Sequence, residues 1–216
     1  MTHSFDKEYW DQIWQGDRAV SMTTSQPNPH LIREVSDLAP GTALDAGCGA
    51  GAEAIWLAQR GWQVTAADIS LDALAHASER AADCGIAERL HWVQADLSTW
   101  EPGAQYDLVT THYAHPAMPQ LQFYDRIAPW VALGGTLLIV GHLPHNDRGP
   151  TADHAHGGGG DGPPASASAT VAAITARLDP AVWEIATAQE SDRTMSGHGE
   201  HEVTLHDVVV RATRRF

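Results

Sequence analysis

The sequence predicts an α/β fold: a doubly wound, seven-stranded, mostly parallel sheet with helices on both faces. Segments of strand length alternate with helical segments from about residue 42 onward, and glycine-containing turns separate several of them. Parallel neighbouring strands need a crossover connection, and a helix supplies it. A chain of 216 residues is long enough for one domain with a full hydrophobic core.

Hydrophobic periodicity and turn residues predict where the individual elements lie. The expected helices cover residues 9–15, 29–38, the stretch from the first glycine turn to about 61, 71–85, 121–131 and 167–178. The expected strands cover residues 42–46, 63–69, 90–96, 106–111, 136–140, 182–188 and 203–212. We divide the chain into an N-terminal helical cap, residues 1–40, and a main domain, residues 41–216. Residues 143–166 are rich in His, Gly and Pro, which predicts a flexible loop.

Charge and cysteine content limit the function classes. The formal net charge is −14, and the single lysine, Lys7, stands against 12 arginines. Such a surface repels polyanions, so neither nucleic acid nor an anionic membrane is an expected partner. No run approaches the roughly 20 apolar residues that span a bilayer. Two cysteines, Cys48 and Cys84, do not make a disulfide framework, so we expect a cytoplasmic protein in a reducing compartment.

The most informative motif is a glycine turn at residues 44–51, Leu-Asp-Ala-Gly-Cys-Gly-Ala-Gly, between a strand and a helix. Its glycines, Gly47, Gly49 and Gly51, let the backbone approach a ligand closely, and the following helix presents free N–H groups. The turn therefore predicts a site for a nucleoside cofactor. Gly47, Gly49 and Ala52 also satisfy the dinucleotide fingerprint G-x-G-x-x-G/A, which leaves an NAD-dependent oxidoreductase as an alternative.

Three aspartates, Asp45, Asp68 and Asp96, end successive predicted strands. In doubly wound folds, ligands bind at the carboxyl edge of the sheet. A carboxylate at Asp45 would repel the pyrophosphate of a dinucleotide but attract the cationic sulfonium and amino groups of S-adenosylmethionine. Asp68 is placed to accept hydrogen bonds from ribose hydroxyls, and Asp96 from an adenine amino group. S-adenosylmethionine is therefore the predicted cofactor.

The same segments carry a family resemblance. Residues 44–51, 67–70, 94–97 and 106–109 resemble, in order and spacing, the successive motifs of class I S-adenosylmethionine-dependent methyltransferases. The chain is similar to bacterial small-molecule methyltransferases of the tellurite-resistance and thiopurine methyltransferase type, whose aromatic N-terminal helix resembles residues 9–14. The resemblance is good from about residue 41 to 141, moderate before and poor after. It implies a Rossmann-like methyltransferase fold and in-line methyl transfer from S-adenosylmethionine to a small-molecule acceptor.

The resemblance also implies roles for individual residues. Asp45 and the glycine turn would hold the methionine end of the cofactor, and Asp68 and Asp96 would hold the ribose and the adenine. Ile69 and Leu97 would sandwich the base. The predicted cofactor contacts are Asp45, Gly47, Cys48, Gly49, Gly51, Asp68, Ile69, Asp96, Leu97 and Thr111.

The acceptor side is expected just after the fourth strand, where His112 and Tyr113 follow. An imidazole titrates near neutral pH, so His112 or His115 would serve as a general base if the acceptor must lose a proton. A merely hydrogen-bonded, structural histidine is the alternative. Trp10 and Trp14 lie four residues apart and share a helix face, so they form either a lid over the acceptor or part of the core.

Several histidines in and beside the predicted loop raise a metal-binding alternative; they are His142, His145, His154 and His156. A glycine-rich loop does not hold ligands in fixed geometry, so no metal is expected. Beside the oxidoreductase, the second alternative to an active enzyme is a regulator that binds S-adenosylmethionine without turnover. The acceptor atom is not predicted, and we expect a monomer or a homodimer.

Overall fold

The computed structural model describes residues 5–15, 22–143, 167–196 and 202–216. Seven strands in these residues form one sheet. They are β1 (Thr42–Ala46), β2 (Gln63–Asp68), β3 (Leu90–Gln94), β4 (Tyr106–His112), β5 (Val131–His142), β6 (Trp183–Ser196) and β7 (Glu202–Arg214). The helices are α1 (Lys7–Gln15), α2 (Pro29–Val35), α3 (Ala52–Gln59), α4 (Leu71–Asp83), α5 (Gln120–Ile127) and α6 (Val171–Thr175).

The strand order across the sheet is β3-β2-β1-β4-β5-β7-β6. Strands β1 to β5 run parallel to one another, whereas β7 is antiparallel to both β5 and β6. The predicted fold class is therefore confirmed. Because the chain moves outward from β1 in one direction through β2 and β3 and then returns to β4 on the other side, the order reverses between β1 and β4. Ligands of doubly wound sheets bind in the crevice at such a switch point.

Side-chain caps begin two helices beside this crevice. The Ser70 hydroxyl accepts a hydrogen bond from the N–H of Ala73 at 3.4 Å, so Ser70 is the N-cap of α4. The Asn28 carboxamide oxygen accepts from the N–H of His30 at 2.9 Å, and Pro29 occupies the first turn of α2. Both helices thus begin close to the carboxyl edge of the sheet.

The predicted helix over residues 121–131 is wrong in its second half. Helix α5 ends at Ile127, a 3₁₀ turn covers Ala128–Trp130, and β5 already begins at Val131. Pro129 explains the difference, because proline lacks the N–H that a continuing helix needs and restricts the residue before it. The fifth strand is consequently longer than the predicted residues 136–140.

The C-terminal predictions also need correction. Only Val171–Thr175 of the predicted helix 167–178 is α-helical, and the Thr170 hydroxyl caps it by accepting from the N–H of Ala173 at 3.1 Å. Strands β6 and β7 extend beyond their predicted limits because antiparallel pairing satisfies their backbone regardless of side-chain polarity. Strand β3 ends at Gln94, two residues before Asp96. Apart from Leu143, the predicted flexible loop of residues 143–166 lies outside the described residues.

The hydrophobic core lies on both faces of the sheet. On one face Phe123 and Ile127 of α5 pack with Leu137 of β5. On the other face Leu31 of α2 packs with Val140 of β5 and with its neighbours in β4 and β7. Two layers of helices therefore support the sheet and leave its carboxyl edge open. None of the helices in the described ranges is both long and apolar enough to cross a membrane.

Candidate functional site

A cavity of about 490 Å³ opens at the carboxyl edge of the sheet. Its floor is the glycine turn after β1, and one side is formed by Asp68 of β2 and by Asp96 beyond β3. The opposite side begins where β4 ends, at His112. Residues from α1 and from the start of α2 cover it. The elements around the switch point thus enclose a space of the size that small-molecule sites occupy.

The glycine turn is fixed to the end of β2. The N–H groups of Gly47 and Cys48 donate to the carbonyl of Ala67 at 2.8 and 3.0 Å. Gly47 has a φ of +86°, and a Cβ built on it would lie 2.3 Å from the Cβ of Ala114. No other residue type fits there, because a side chain would both strain the backbone and collide with the next loop. The backbone of the turn therefore lines the cavity in a conformation that only glycine permits at this position.

Asp68 braces this turn from the next strand. Its Oδ2 accepts from the N–H of Gly49 and its Oδ1 from the N–H of Ser70, both at 2.9 Å. Burial raises the pKa of Asp68 above its usual range, and the backbone hydrogen bonds oppose that rise. Asp96 is half-buried, and its Oδ1 accepts from the N–H of Ser98 at 2.8 Å and from the Ser98 hydroxyl at 2.6 Å.

A further acid, Glu53, lines the cavity, and the sequence analysis missed it. It lies in the first turn of α3, and its Oε1 accepts from the N–H of Asn28 at 3.0 Å. Burial raises the pKa of Glu53, while the backbone hydrogen bonds and Arg80 oppose the rise. Burial also raises the pKa of Asp45 well above its usual range, with repulsion from Glu53 and Asp68 adding to it. The available signal for Glu53 was an acidic residue in the first turn of the helix that follows the glycine turn.

The wall described by the structure contains no lysine or arginine. The acidic side chains that line it are those of Glu53, Asp68 and Asp96. Carboxylates attract cationic ligand groups and repel phosphates. The arrangement therefore suits a ligand with positive charge and hydroxyl or amino donors.

His112 ends β4 and is one of the residues that line the cavity. Both ring nitrogens are buried, and neither has a hydrogen-bond partner among the described residues. Burial lowers the pKa of His112 to about 3, with a smaller Coulombic contribution from His30. The ring is therefore an uncharged imidazole at neutral pH, with one donor and one acceptor nitrogen to offer a ligand.

The aromatic residues of the N-terminal segment cover the same side. The indole N–H of Trp10 donates to the carbonyl of His115 at 3.2 Å, and the Phe5 ring lies 5.5 Å from the His115 ring. His115 donates from Nδ1 to Oε1 of Gln120 at 3.1 Å, and burial lowers its pKa. Tyr113 has a φ of +53° and contacts the cavity with its ring. Contacts between segments some 100 residues apart thus build the acceptor side.

Trp14 combines the two alternatives left by the sequence. It is only 4% exposed and packs with Ala50 and Ala73, which is a core position. Its ring also lines the cavity, 3.2 Å from where a Cβ of Gly49 would stand. The residue therefore belongs to the core and to the cover of the cavity at once.

Most of the predicted site residues meet around this one cavity. Those that line it are Gly47, Cys48, Gly49, Asp68, Ile69, Asp96, Leu97, Trp10, Trp14, His112, Tyr113 and His115. Three predicted residues do not line it: Asp45, Gly51 and Thr111. The Asp45 carboxylate accepts from the backbone of Ala54, and the Thr111 hydroxyl donates to the carbonyl of Ala46 at 2.8 Å. The Thr111 hydroxyl is thus engaged inside the protein, whereas Oδ2 of the buried Asp45 has no hydrogen-bond partner among the described residues.

The described residues contain no group of three or more His, Cys, Asp and Glu side chains placed to hold a metal ion. His145, His154 and His156 lie outside those residues. His142 is described, and its ring stacks 5.5 Å from the His115 ring.

The lowered pKa of His112 makes stability depend on pH in a defined direction. The native ring stays neutral down to about pH 3, whereas the unfolded ring takes up a proton below its ordinary pKa of 6.5. The unfolded chain therefore gains protons first, and wild-type stability falls as pH drops through this window. Relative to His112→Phe, the loss should approach about 1.4 kcal/mol per pH unit. Urea unfolding from neutral pH to about pH 5 checks this, and a pH-independent difference would contradict it.

Comparisons with known proteins agree on one domain type. Residues 43–135 match the family described as "Methyltransferase domain". The chain is 29% identical to a probable thiol methyltransferase 2 of Arabidopsis thaliana over 103 residues, 46% of this chain and 45% of that protein. It is 31% identical to a trans-aconitate 2-methyltransferase of Streptomyces avermitilis over 135 residues, 59% of this chain and 48% of that protein. The chain thus spans less than half the length of each of these curated relatives.

A solved structure extends the likeness in fold to the whole chain. Magnesium protoporphyrin IX methyltransferase from Synechocystis PCC 6803, with bound SAM, superposes with a TM-score of 0.62 at 17% identity. The superposition covers 99% of this chain and 100% of that one. At this identity the likeness concerns the arrangement of the backbone, including the strands whose ends form the cavity.

Proposed function

We propose that this chain, whose residues 43–135 match the methyltransferase domain family, transfers a methyl group from S-adenosylmethionine to a small-molecule acceptor. The observation that carries the proposal is the cavity, where a glycine turn and acidic groups meet at the sheet edge without a lysine or arginine in the described wall. The sulfonium and amino groups of S-adenosylmethionine are cationic, whereas a dinucleotide pyrophosphate is anionic. The wall therefore favours the methyltransferase over the NAD-dependent oxidoreductase.

The residues present fit this cofactor. The turn at Gly47 leaves no room for a side chain, so a ligand meets bare backbone there. Within the described residues the hydrogen bonds of Asp96 use only Oδ1, which leaves Oδ2 for an adenine amino group. In the proposed complex Asp68 accepts from the ribose, Ile69 and Leu97 flank the base, and Glu53 faces the methionine end. When bound, S-adenosylmethionine supplies an electrophilic methyl group on a sulfonium centre.

The acceptor side supports a small acceptor without several negative charges. Phe5, Trp10, Tyr113 and Pro116 line this side, and no cation from the described residues balances a carboxylate there. A tricarboxylate such as the one named for the Streptomyces relative would lack a partner in this wall. A thiol, as named for the Arabidopsis relative, suits it better because sulfur packs favourably against aromatic rings.

The protein contributes alignment and the exclusion of water. Phe5, Trp10 and Trp14 line the cavity as an aromatic cover that would limit the access of water to the bound reactants. Well-aligned reactants need little further activation. Aromatic faces also stabilise a cationic donor by about 0.5–2 kcal/mol. The neutral ring of His112 offers a hydrogen-bond acceptor to the X–H group of an acceptor molecule.

The setting proposed for this activity is the cytoplasm, with the protein as a monomer or a homodimer. Cys48 is a buried free thiol and Cys84 an exposed one. Free thiols of this kind persist in reducing compartments, which supports the proposal. A net charge of −14 repels nucleic acid and anionic membranes, which supports a small molecule as the partner.

Calorimetry with S-adenosylhomocysteine and with NAD tests the cofactor, and formation of S-adenosylhomocysteine with an acceptor panel tests the reaction. We expect micromolar binding of S-adenosylhomocysteine, about −8 kcal/mol, and no heat from NAD, because the acidic wall matches only the first ligand. The panel should include thiols and trans-aconitate. Heat from NAD alone would overturn the proposal. Donor binding without turnover of any acceptor would favour the regulator instead.

A further inference from the structure

A buried histidine–aspartate pair lies behind the acceptor side of the cavity, and the proposed reaction has not used it. His30 is in the first turn of α2, and Asp207 is in β7. Nε2 of His30 and Oδ2 of Asp207 are 3.1 Å apart, and the two residues are 4% and 0% exposed. Burying a carboxylate is costly without a partner, so such a pair needs an explanation in structure or in function.

The strand register brings this pair to the same face of the sheet as His112. His112 of β4 pairs with Val140 of β5, and Val140 pairs with Val209 of β7. Paired residues of neighbouring strands point to the same face, and so do residues two apart in one strand. Asp207 and His112 therefore both face α2, where Val140 and Val209 pack against Leu31.

Three buried nitrogens on this face have no hydrogen-bond partner in the part of the chain that is described: Nδ1 of His30 and both ring nitrogens of His112. An unsatisfied buried polar atom costs about 1–3 kcal/mol. Three of them belong to two imidazoles on the same face of the sheet, one in the cavity lining and the other paired with Asp207. A positive charge on His30 lowers the pKa of His112, in keeping with the placement of both residues on this face.

His112 alone is a weak terminal proton acceptor. Its pKa of about 3 lies far below that of an ordinary thiol, so a proton left on this ring would return. A proton passed on to His30 would instead rest on an imidazolium that is paired with a carboxylate. His112 can therefore remove a proton from the acceptor effectively only if His30 takes that proton over from it.

We propose that His30 and Asp207 are positioning residues for His112 and receive, through it, the proton that the acceptor loses. This inference rests on the proposed methyl transfer. The acceptor atom forms its bond to the methyl carbon, the electron pair of the broken carbon–sulfur bond stays on the donor sulfur, and the X–H proton passes to one ring nitrogen of His112. The other nitrogen of His112 releases its proton to Nδ1 of His30, directly or through one water. The proton then rests on His30 beside the Asp207 carboxylate.

A purely structural role explains the pair less well, because α2 is already tied to the same strands. Glu34 of α2 accepts from the Thr187 hydroxyl at 2.7 Å, and Arg211 of β7 donates to the Glu34 carbonyl at 2.8 Å. The helix therefore has a second polar anchor to β6 and β7 that lies away from the cavity lining. That anchor provides the matched control.

The test compares two thiol acceptors near neutral pH: 2-mercaptoethanol, which is mostly protonated, and thiophenol, which is mostly ionised. Asp207→Asn and His30→Gln should each lower kcat for 2-mercaptoethanol at least tenfold, with KM changed less than threefold. The thiolate form of thiophenol has no S–H proton to transfer, so kcat for this acceptor should fall less than threefold. Glu34→Gln, which loosens the same helix, should affect both thiols equally.

Each other result decides against the proposal. Equal losses with both thiols in Asp207→Asn and His30→Gln would assign the pair to structure, and unchanged kcat with both would remove it from the reaction. If one variant fails to fold, as seen by its circular dichroism, the other provides the comparison. Donor binding by the wild type without turnover of either thiol would overturn the relay as a device for thiol acceptors, and the proposed function would be contradicted only if no acceptor of the panel were methylated.

Discussion

Replacing Gly47 by Ala should weaken S-adenosylhomocysteine binding by about 100-fold or more, which corresponds to roughly 2.7 kcal/mol. The backbone at Gly47 has a φ of +86°, where an L side chain is strained. The added methyl would also stand 2.3 Å from the Cβ of Ala114. Relief of this overlap must move either the turn or the loop after β4, and both line the cavity.

Gly85→Ala is the matched control for this substitution. Gly85 also has a positive φ, +67°, but a Cβ there meets nothing within 4 Å. The control therefore carries backbone strain without a collision at the site, and it should lower stability while leaving donor affinity unchanged. Calorimetry on both variants and urea unfolding separate the two effects. Wild-type affinity in Gly47→Ala would mean that the turn does not contact the donor.

The parts of the site that the sequence predicted are those encoded locally. A strand, a glycine turn and a helix follow one another within residues 42–59, so the position of Gly47 at the sheet edge could be derived from that order. Asp68 could be derived in the same way, because parallel strands bring their carboxyl ends to one edge. Local propensity and topology were sufficient for these residues.

The parts that were missed depend on contacts between distant segments. His30 and Asp207 are 177 positions apart, and nothing in either local pattern indicates that they pair. Glu53 meets the backbone of Asn28 only because α2 folds over the turn. The burial of Asp45 outside the cavity lining is likewise a result of packing that its own strand does not indicate. Such pairings need the packed tertiary structure.

The predicted roles of the N-terminal aromatics illustrate a different limit. Helical spacing places Trp10 and Trp14 on one face, but spacing does not say what that face meets. In the structure Trp10 binds the carbonyl of His115 and Trp14 lies against the glycine turn. Lid and core were posed as alternatives, whereas a residue that closes a cavity from inside the protein satisfies both descriptions.

Replacing Asp68 by Asn should weaken donor binding by about 10- to 100-fold, roughly 1.4–2.8 kcal/mol. Each carboxylate oxygen of Asp68 accepts one backbone N–H, from Gly49 and from Ser70. A carboxamide has a single acceptor oxygen, so its NH₂ group would face one of these N–H donors. The glycine turn would lose its brace, and the ribose would lose a charged acceptor.

Asp83→Asn, at an exposed position in α4, is the control that removes one negative charge without touching the cavity. It should leave donor affinity unchanged, which calorimetry at neutral pH would show. The effect of Asp68 should also depend on pH. Because burial raises the pKa of Asp68, its ionised form is lost at a higher pH than usual, so wild-type affinity should decline as pH falls through that pKa. Asp68→Asn should lack this decline, and a parallel pH profile in both proteins would place the titrating group elsewhere.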